Sequence, residues 1–117
     1  MSLALLVTAR ACCVGARVIE DFDDSKPDAC RIVGEVVGGL RVRDDVMMIV
    51  DDDGVRKELP MNVIAMLVSP MPIVGPVLFI GVDGAGETRD IPLDFIEMIA
   101  SLVDASACRT VTVSSVE

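Results

Sequence analysis

The sequence predicts a mainly β domain, a small β-barrel or β-roll built around two similar hairpin units, with one helix near residues 95–104. An α+β arrangement is the alternative. Three observations carry this expectation. Residues 50–67 and 82–99 share one pattern at an offset of 32 residues, the apolar segments are short and broken by glycine or proline, and the core-forming residues are chiefly Val, Ile, Leu and Met. Cores rich in Val and Ile favour strands, because β-branched side chains pack well on a pleated surface.

The chain reads as organised around an internal repeat, with two similar hairpins built independently by the same turn chemistry as the alternative. VDDDGVRKELPMNVIAML stands over VDGAGETRDIPLDFIEMI, with Val50/Val82, Asp51/Asp83, Gly54/Gly86, Pro60/Pro92, Ile64/Ile96 and Met66/Met98 identical. Lys57/Arg89, Glu58/Asp90, Leu59/Ile91, Met61/Leu93, Asn62/Asp94, Val63/Phe95 and Leu67/Ile99 exchange like for like. Each copy reads as an apolar strand, an acidic turn with a glycine, and a short second strand ending before a proline, which lacks the N–H a central ladder position needs. Two copies are too few for a solenoid, so a single domain over residues 1–117 is expected.

Taken in order, residues 3–20 have strand character, with Val14–Ile19 the clearer segment and 3–13 open between helix and strand. Glu20–Asp28 is acidic, broken by Ser25 and Pro27 and anchored only by Phe22, so a solvated loop is expected. RIVGEVV, Gly38-Gly39 and LRVRDD give two strands with a glycine break, and Val46–Val50 is the first strand of the first repeat. VIAMLVSPMP after Asn62 fits either one helical turn or a buried strand. Asp94 with Glu97 three residues on has the form of a capping box, and Phe95, Ile99, Leu102 and Val103 fall at helical spacing. CRTVTVSSV alternates Val with Thr and Ser and reads as a closing strand.

The stretch RIVGEVVGGLRVRDDVMMIV resembles part of an Sm-like barrel, where a glycine-bearing strand leads to an aspartate and a Met-Asn pair. Gly34 and Asp45 stand for the first two, but Met48 replaces the asparagine and the basic residues that read RNA are missing. The resemblance covers under a fifth of the chain and implies no function.

Composition excludes more than it selects. A net charge of −9, with no Trp and no Tyr, opposes direct binding to nucleic acid and to anionic membrane surfaces. There is no histidine, which removes the commonest general base and the commonest metal ligand, so no catalytic residue is assigned and an enzyme is disfavoured. Cys12, Cys13, Cys30 and Cys108 contain no C-x-x-C pair and read as apolar residues of a reducing cytoplasm rather than a zinc site or disulfide framework. The N-terminus lacks the basic residue of a signal peptide. Leu59–Val82 is 24 residues without a charge, but Pro60, Pro70, Pro72 and Pro76 break it, so a strand, a proline turn and a strand are expected instead of a membrane span.

Asp51-Asp52-Asp53-Gly54, and Asp83 with Glu87, gather oxygen ligands of the kind Ca²⁺ or Mg²⁺ prefers, yet Ile49 stands where an EF-hand loop needs its first aspartate, and acidic residues beside glycine are ordinary turn formers. Arg41 and Arg43, alternating on a strand face, could meet an anion, with pairing to Asp44 and Glu35 the simpler expectation. A carboxylate dyad is neither indicated nor excluded by 19 acidic residues, and the glycines of VDGAGE lack phosphate-loop spacing, so no cofactor is expected. Seven methionines and the uncharged run give apolar surface that self-association would cover, while Met47, Met48, Met61, Met66, Met71 and Met98 could equally all be core. The functional expectation is therefore a non-enzymatic binding module that forms a homo-oligomer and takes a protein or small ligand; a Ca²⁺/Mg²⁺-binding protein and a carboxylate enzyme are the alternatives.

Overall fold

The structure is a computed structural model that describes residues 2–9, 14–22, 26–34, 37–69, 71–105 and 109–111. Its strands are β1 (Ser2–Ala9), β2 (Val14–Phe22), β3 (Val37–Arg43), β4 (Val46–Asp51), β5 (Val77–Val82), β6 (Thr88–Arg89) and β7 (Arg109–Val111). Three helices, α1 (Lys26–Ile32), α2 (Val63–Val68) and α3 (Leu93–Asp104), complete the fold. The strands form one sheet in the order β3-β4-β5-β1-β2-β7, antiparallel except for the β2–β7 pair. β6 pairs with Gly81 and Val82, beyond the point where β1 leaves β5.

β1 and β5 are central because both of their faces are apolar. In β5 every residue from Val77 to Val82 is buried, and so are Ala4, Leu5, Leu6 and Val7 of β1. Alternate residues then serve two cores, as a strand period of two requires. Leu5, Val7, Val46, Met48, Val77 and Phe79 pack with Ile64 of α2 and Phe95, Ile96, Ile99 and Val103 of α3. Ala4, Leu6, Ile19, Phe22, Leu78 and Ile80 face the opposite way and meet Ile32 and Val33 at the end of α1. Phe79 and Phe95 touch edge to face at 4.9 Å between ring centroids, joining α3 to the middle of the sheet.

The mainly β class is what the chain adopts, but the sheet does not close into a barrel. Helices lie against both faces, so the apolar surface is covered without closure, and β3 and β7 stand at the two ends of the strand order. The β3 edge is blunted by a bulge between Arg41 and Arg43.

Several local expectations change. β2 runs on to Phe22 and Lys26–Ile32 is helical, where an acidic loop and then a strand were expected. Pro27 lies in the first turn of α1, where a missing N–H costs nothing. The uncharged run is α2, a proline-containing loop and β5, not two strands. No helix among the described residues is long and apolar enough to cross a membrane. α3 begins at Leu93, with Pro92 as its N-cap and no side-chain cap, so Asp94 lies inside the first turn and the expected capping box is not formed. The second strand of the first repeat is replaced by turns through residues 52–58, whereas the second repeat forms β6. Of the closing strand, residues 109–111 form β7; the remainder lies outside the described residues.

Candidate functional site

The two acidic turns use the same device. Asp51 ends β4 with its side chain almost wholly buried, and its Oδ2 receives Lys57 Nζ at 2.9 Å while Oδ1 accepts the Asp53 N–H at 2.9 Å. Asp83 follows β5, and its Oδ2 receives Arg89 Nη2 at 2.9 Å while Oδ1 accepts the N–H groups of Ala85 and Glu87, both at 2.9 Å. In each turn the aspartate carbonyl also accepts the glycine N–H three residues on, Gly54 at 3.1 Å and Gly86 at 3.0 Å. Gly86 has a φ of 85°, which a Cβ would strain.

These contacts occupy the carboxylates that a cation would need. Arg56 is bound to Asp53 through Nε at 2.8 Å and through a second, shorter contact from Nη2. Asp51 and Asp52 press against backbone: a Cβ at Gly34 would lie 2.5 Å from Asp51 Oδ2, and one at Gly38 would lie 2.5 Å from Asp52 Oδ1. Among the described residues no group of three or more His, Cys, Asp or Glu side chains is placed to hold a metal ion.

A shallow, wide-open depression of about 780 Å³ lies beside the second turn, lined by Arg43, Asp44, Asp45, Val82, Asp83 and Gly84. Arg43 dominates it. Its guanidinium binds Asp45 at 2.6 Å and Asp94 at 3.0 Å and stands 5.5 Å from the centre of the Phe95 ring. Hydrogen bonds to Asp45 and then Asp94 raise the Arg43 pKa above its usual range, and the same contacts hold both carboxyls below theirs. Asp53 is lowered by Arg56, and Asp83 first by the Glu87 N–H, then by Ala85 and Arg89. All four carboxyls move away from the range a general acid needs near neutral pH.

Arg41 and Arg43 do not form one anion-binding face. The bulge sets Arg41 opposite Met47, on the α1 side of the sheet, and Arg43 opposite Val46, on the α3 side. Arg41 donates instead to the Asp44 carbonyl at 2.7 Å. Cys30 is half-buried in α1; Cys12, Cys13 and Cys108 lie outside the described residues.

Asn62, which its sequence context marks as no more than a candidate start of a helical turn, is wholly buried. Its Nδ2 donates to the carbonyls of Val7 at 3.2 Å and Gly75 at 2.9 Å, and its Oδ1 caps α2 by accepting the Ala65 N–H at 3.1 Å. It thereby fixes α2 on the sheet with Ile64 and Ala65 inward and the opposite side outward. On that outward side Val63 is 47% and Leu67 66% exposed, flanked by Met61 at 58% and Met71 at 52%. An asparagine directly before an apolar segment is the signal that marks such a cap.

The open sheet, the helices on both faces and this apolar helix surface define a small mainly β fold. Over residues 11–104 the chain matches the model of DUF3846, a domain of unknown function, and it belongs to that family. No curated protein and no solved structure matches it.

Proposed function

We propose that this chain is a non-enzymatic interaction module that self-associates in a reducing cytoplasm. One observation carries the reading: Val55, Met61, Val63, Leu67, Met71, Leu93 and Met98 are large apolar side chains left exposed on a domain of 117 residues. Four of them, Met61, Val63, Leu67 and Met71, lie on or next to one short helix, and exposed apolar surface gathered in one place is characteristic of binding sites. The two alternatives have less support. A Ca²⁺- or Mg²⁺-binding role would have to displace Lys57, Arg56 and Arg89 from the tip carboxylates, and a carboxylate enzyme would need a raised carboxyl where Asp45, Asp83 and Asp94 are lowered.

Internal duplication belongs to the same reading. It is supported by the paired cations Lys57 and Arg89, each set six residues after its aspartate in both sequence and contact. Sedimentation velocity over a concentration series tests the proposal. A sedimentation coefficient that climbs with concentration, unchanged by chelator or added Ca²⁺, is expected; a single monomeric species throughout would overturn it.

A further inference from the structure

We propose that the Asp83–Gly84 peptide bond is a modification site, at which aspartate converts through a cyclic succinimide to isoaspartate, and that the hold of Arg89 on the Asp83 carboxylate governs the rate. The inference stands apart from the self-association reading and does not depend on it.

The chemistry needs only water. The Gly84 nitrogen attacks Cγ of Asp83, and the proton on that nitrogen leaves with the carboxyl OH as water, closing the cyclic imide. A second water then opens the ring. Attack at Cγ returns aspartate, whereas attack at the main-chain carbonyl carbon of Asp83 leaves the chain running through the former side chain, which is isoaspartate. Nothing is oxidised or reduced, and the water lost is regained. Glycine after the aspartate favours ring closure, because it has no Cβ to hinder the nitrogen.

The chain holds two such bonds, Asp53–Gly54 and Asp83–Gly84, and the fold treats them differently. Gly54 is buried, its N–H donates to the Asp51 carbonyl at 3.1 Å, and a Cβ there would lie 2.8 Å from Val74 Cγ2. Its nitrogen cannot turn onto Asp53 without breaking both that bond and that packing. Gly84 is exposed, and a Cβ there would meet nothing within 4 Å. Its N–H makes no hydrogen bond among the described residues, and it lines the open depression, where water reaches the bond.

What restrains Asp83 is therefore its carboxylate. Oδ1 accepts the N–H groups of Glu87 and Ala85, and Oδ2 is held by Arg89 through Nε at 3.1 Å and Nη2 at 2.9 Å. The Glu87 and Ala85 N–H groups, then Arg89, keep the carboxyl ionised, and an ionised carboxyl has no hydroxyl to expel. The Arg89 side chain is 66% exposed, so it is the restraint that substitution removes without opening the core. In isoaspartate the carboxylate sits directly on Cα, too short to keep Arg89, Ala85 and Glu87 together, and the turn opens.

Ageing the folded full chain at physiological temperature and neutral pH, followed by peptide mapping with electron-transfer fragmentation to separate the two isomers, tests this. A parallel sample held in urea gives the intrinsic rate at each bond. In the native chain isoaspartate should accumulate at position 83 and not at 53, although both convert in urea. Gly84→Ala, whose Cβ the fold accommodates, should abolish the reaction at 83, and Arg89→Gln should speed it several-fold. Circular dichroism melts check that each variant is folded, and Arg89→Lys replaces Arg89→Gln if the latter is not, with a smaller increase of the same sign. Conversion at Asp53 as fast as at Asp83, no conversion at Asp83 in the native chain, or undiminished conversion in Gly84→Ala overturns the site. An unchanged rate in the folded Arg89 variant overturns the part assigned to Arg89.

Discussion

Asn62 donates through Nδ2 to the carbonyl oxygen of Val7, 55 residues away in sequence, from a position with no solvent exposure. This bond joins the start of α2 to the central strand β1, while the second Nδ2 bond secures Gly75 in the loop before β5. Asn62→Ala removes the cap and leaves two buried carbonyls without that donor, so we expect a loss of about 2–4 kcal/mol in urea unfolding followed by circular dichroism. Asn62→Asp keeps the cap acceptor but points a carboxylate at two carbonyls. It should be at least as destabilising as alanine.

Two glycines next to the second acidic turn should respond in opposite ways to alanine. A Cβ at Gly81 would collide with the Asp90 carbonyl oxygen, a backbone atom that cannot swing aside. At Gly84 the same atom would meet nothing within 4 Å. Gly81→Ala should lower the melting temperature by many degrees, as substitutions costing more than about 3 kcal/mol do, while Gly84→Ala should stay within about 1 °C of wild type.

Acid should erode stability through the aspartates of the turns. Asp83, Asp53, Asp45 and Asp94 have folded pKa values below the ordinary carboxylate value of about 3.9. Their stabilisation is present above that value and is lost as pH falls through the lower folded one. Urea midpoints should therefore be flat from about pH 7 to about pH 5 and drop below about pH 4. Asp83→Asn should show a shallower acid decline than wild type, because it removes one of the depressed carboxyls. An unchanged slope would deny Asp83 that share.

Glu58 holds a φ of 57°, a left-handed conformation that a Cβ makes unfavourable. Glu58→Gly should raise stability by about 0.5–1 kcal/mol, even though glycine usually lowers it. Differential scanning calorimetry gives the sign directly.

The parts of the fold that could be read in advance are those set by local pattern. Phe95, Ile99 and Val103 at helical spacing mark α3, and all three are buried. Val14–Ile19 and Val46–Val50 are strands because their Val and Ile residues leave little choice of backbone. What could not be read depends on distance. α1 was hidden by Pro27, which looks like a breaker yet sits in the first turn, and by Ile32 and Val33, whose branching suggests a strand. The opposite facing of Arg41 and Arg43 comes from a bulge that reverses one step of alternation. An open edge instead of a closed barrel reflects helices arriving on both faces, which no strand pattern encodes. Within the acidic turns the aspartates were visible, but their partners Lys57 and Arg89 became evident only through contact.

The placing of β1 between β2 and β5 also sets an order of events in synthesis. β1 can zip onto β2 almost as soon as both have left the ribosome, but its other edge waits for Val77–Ile80, about seventy residues later in the chain. Until then Leu5 and Val7 have no β5 beside them, and β4 lacks the strand that joins it to the rest of the sheet. The first hairpin made is thus a provisional structure. It acquires its native neighbour only when a late strand threads into the middle of the sheet, so arrest of translation before Val82 should leave a chain that is collapsed, apolar and prone to stick to its neighbours on the polysome.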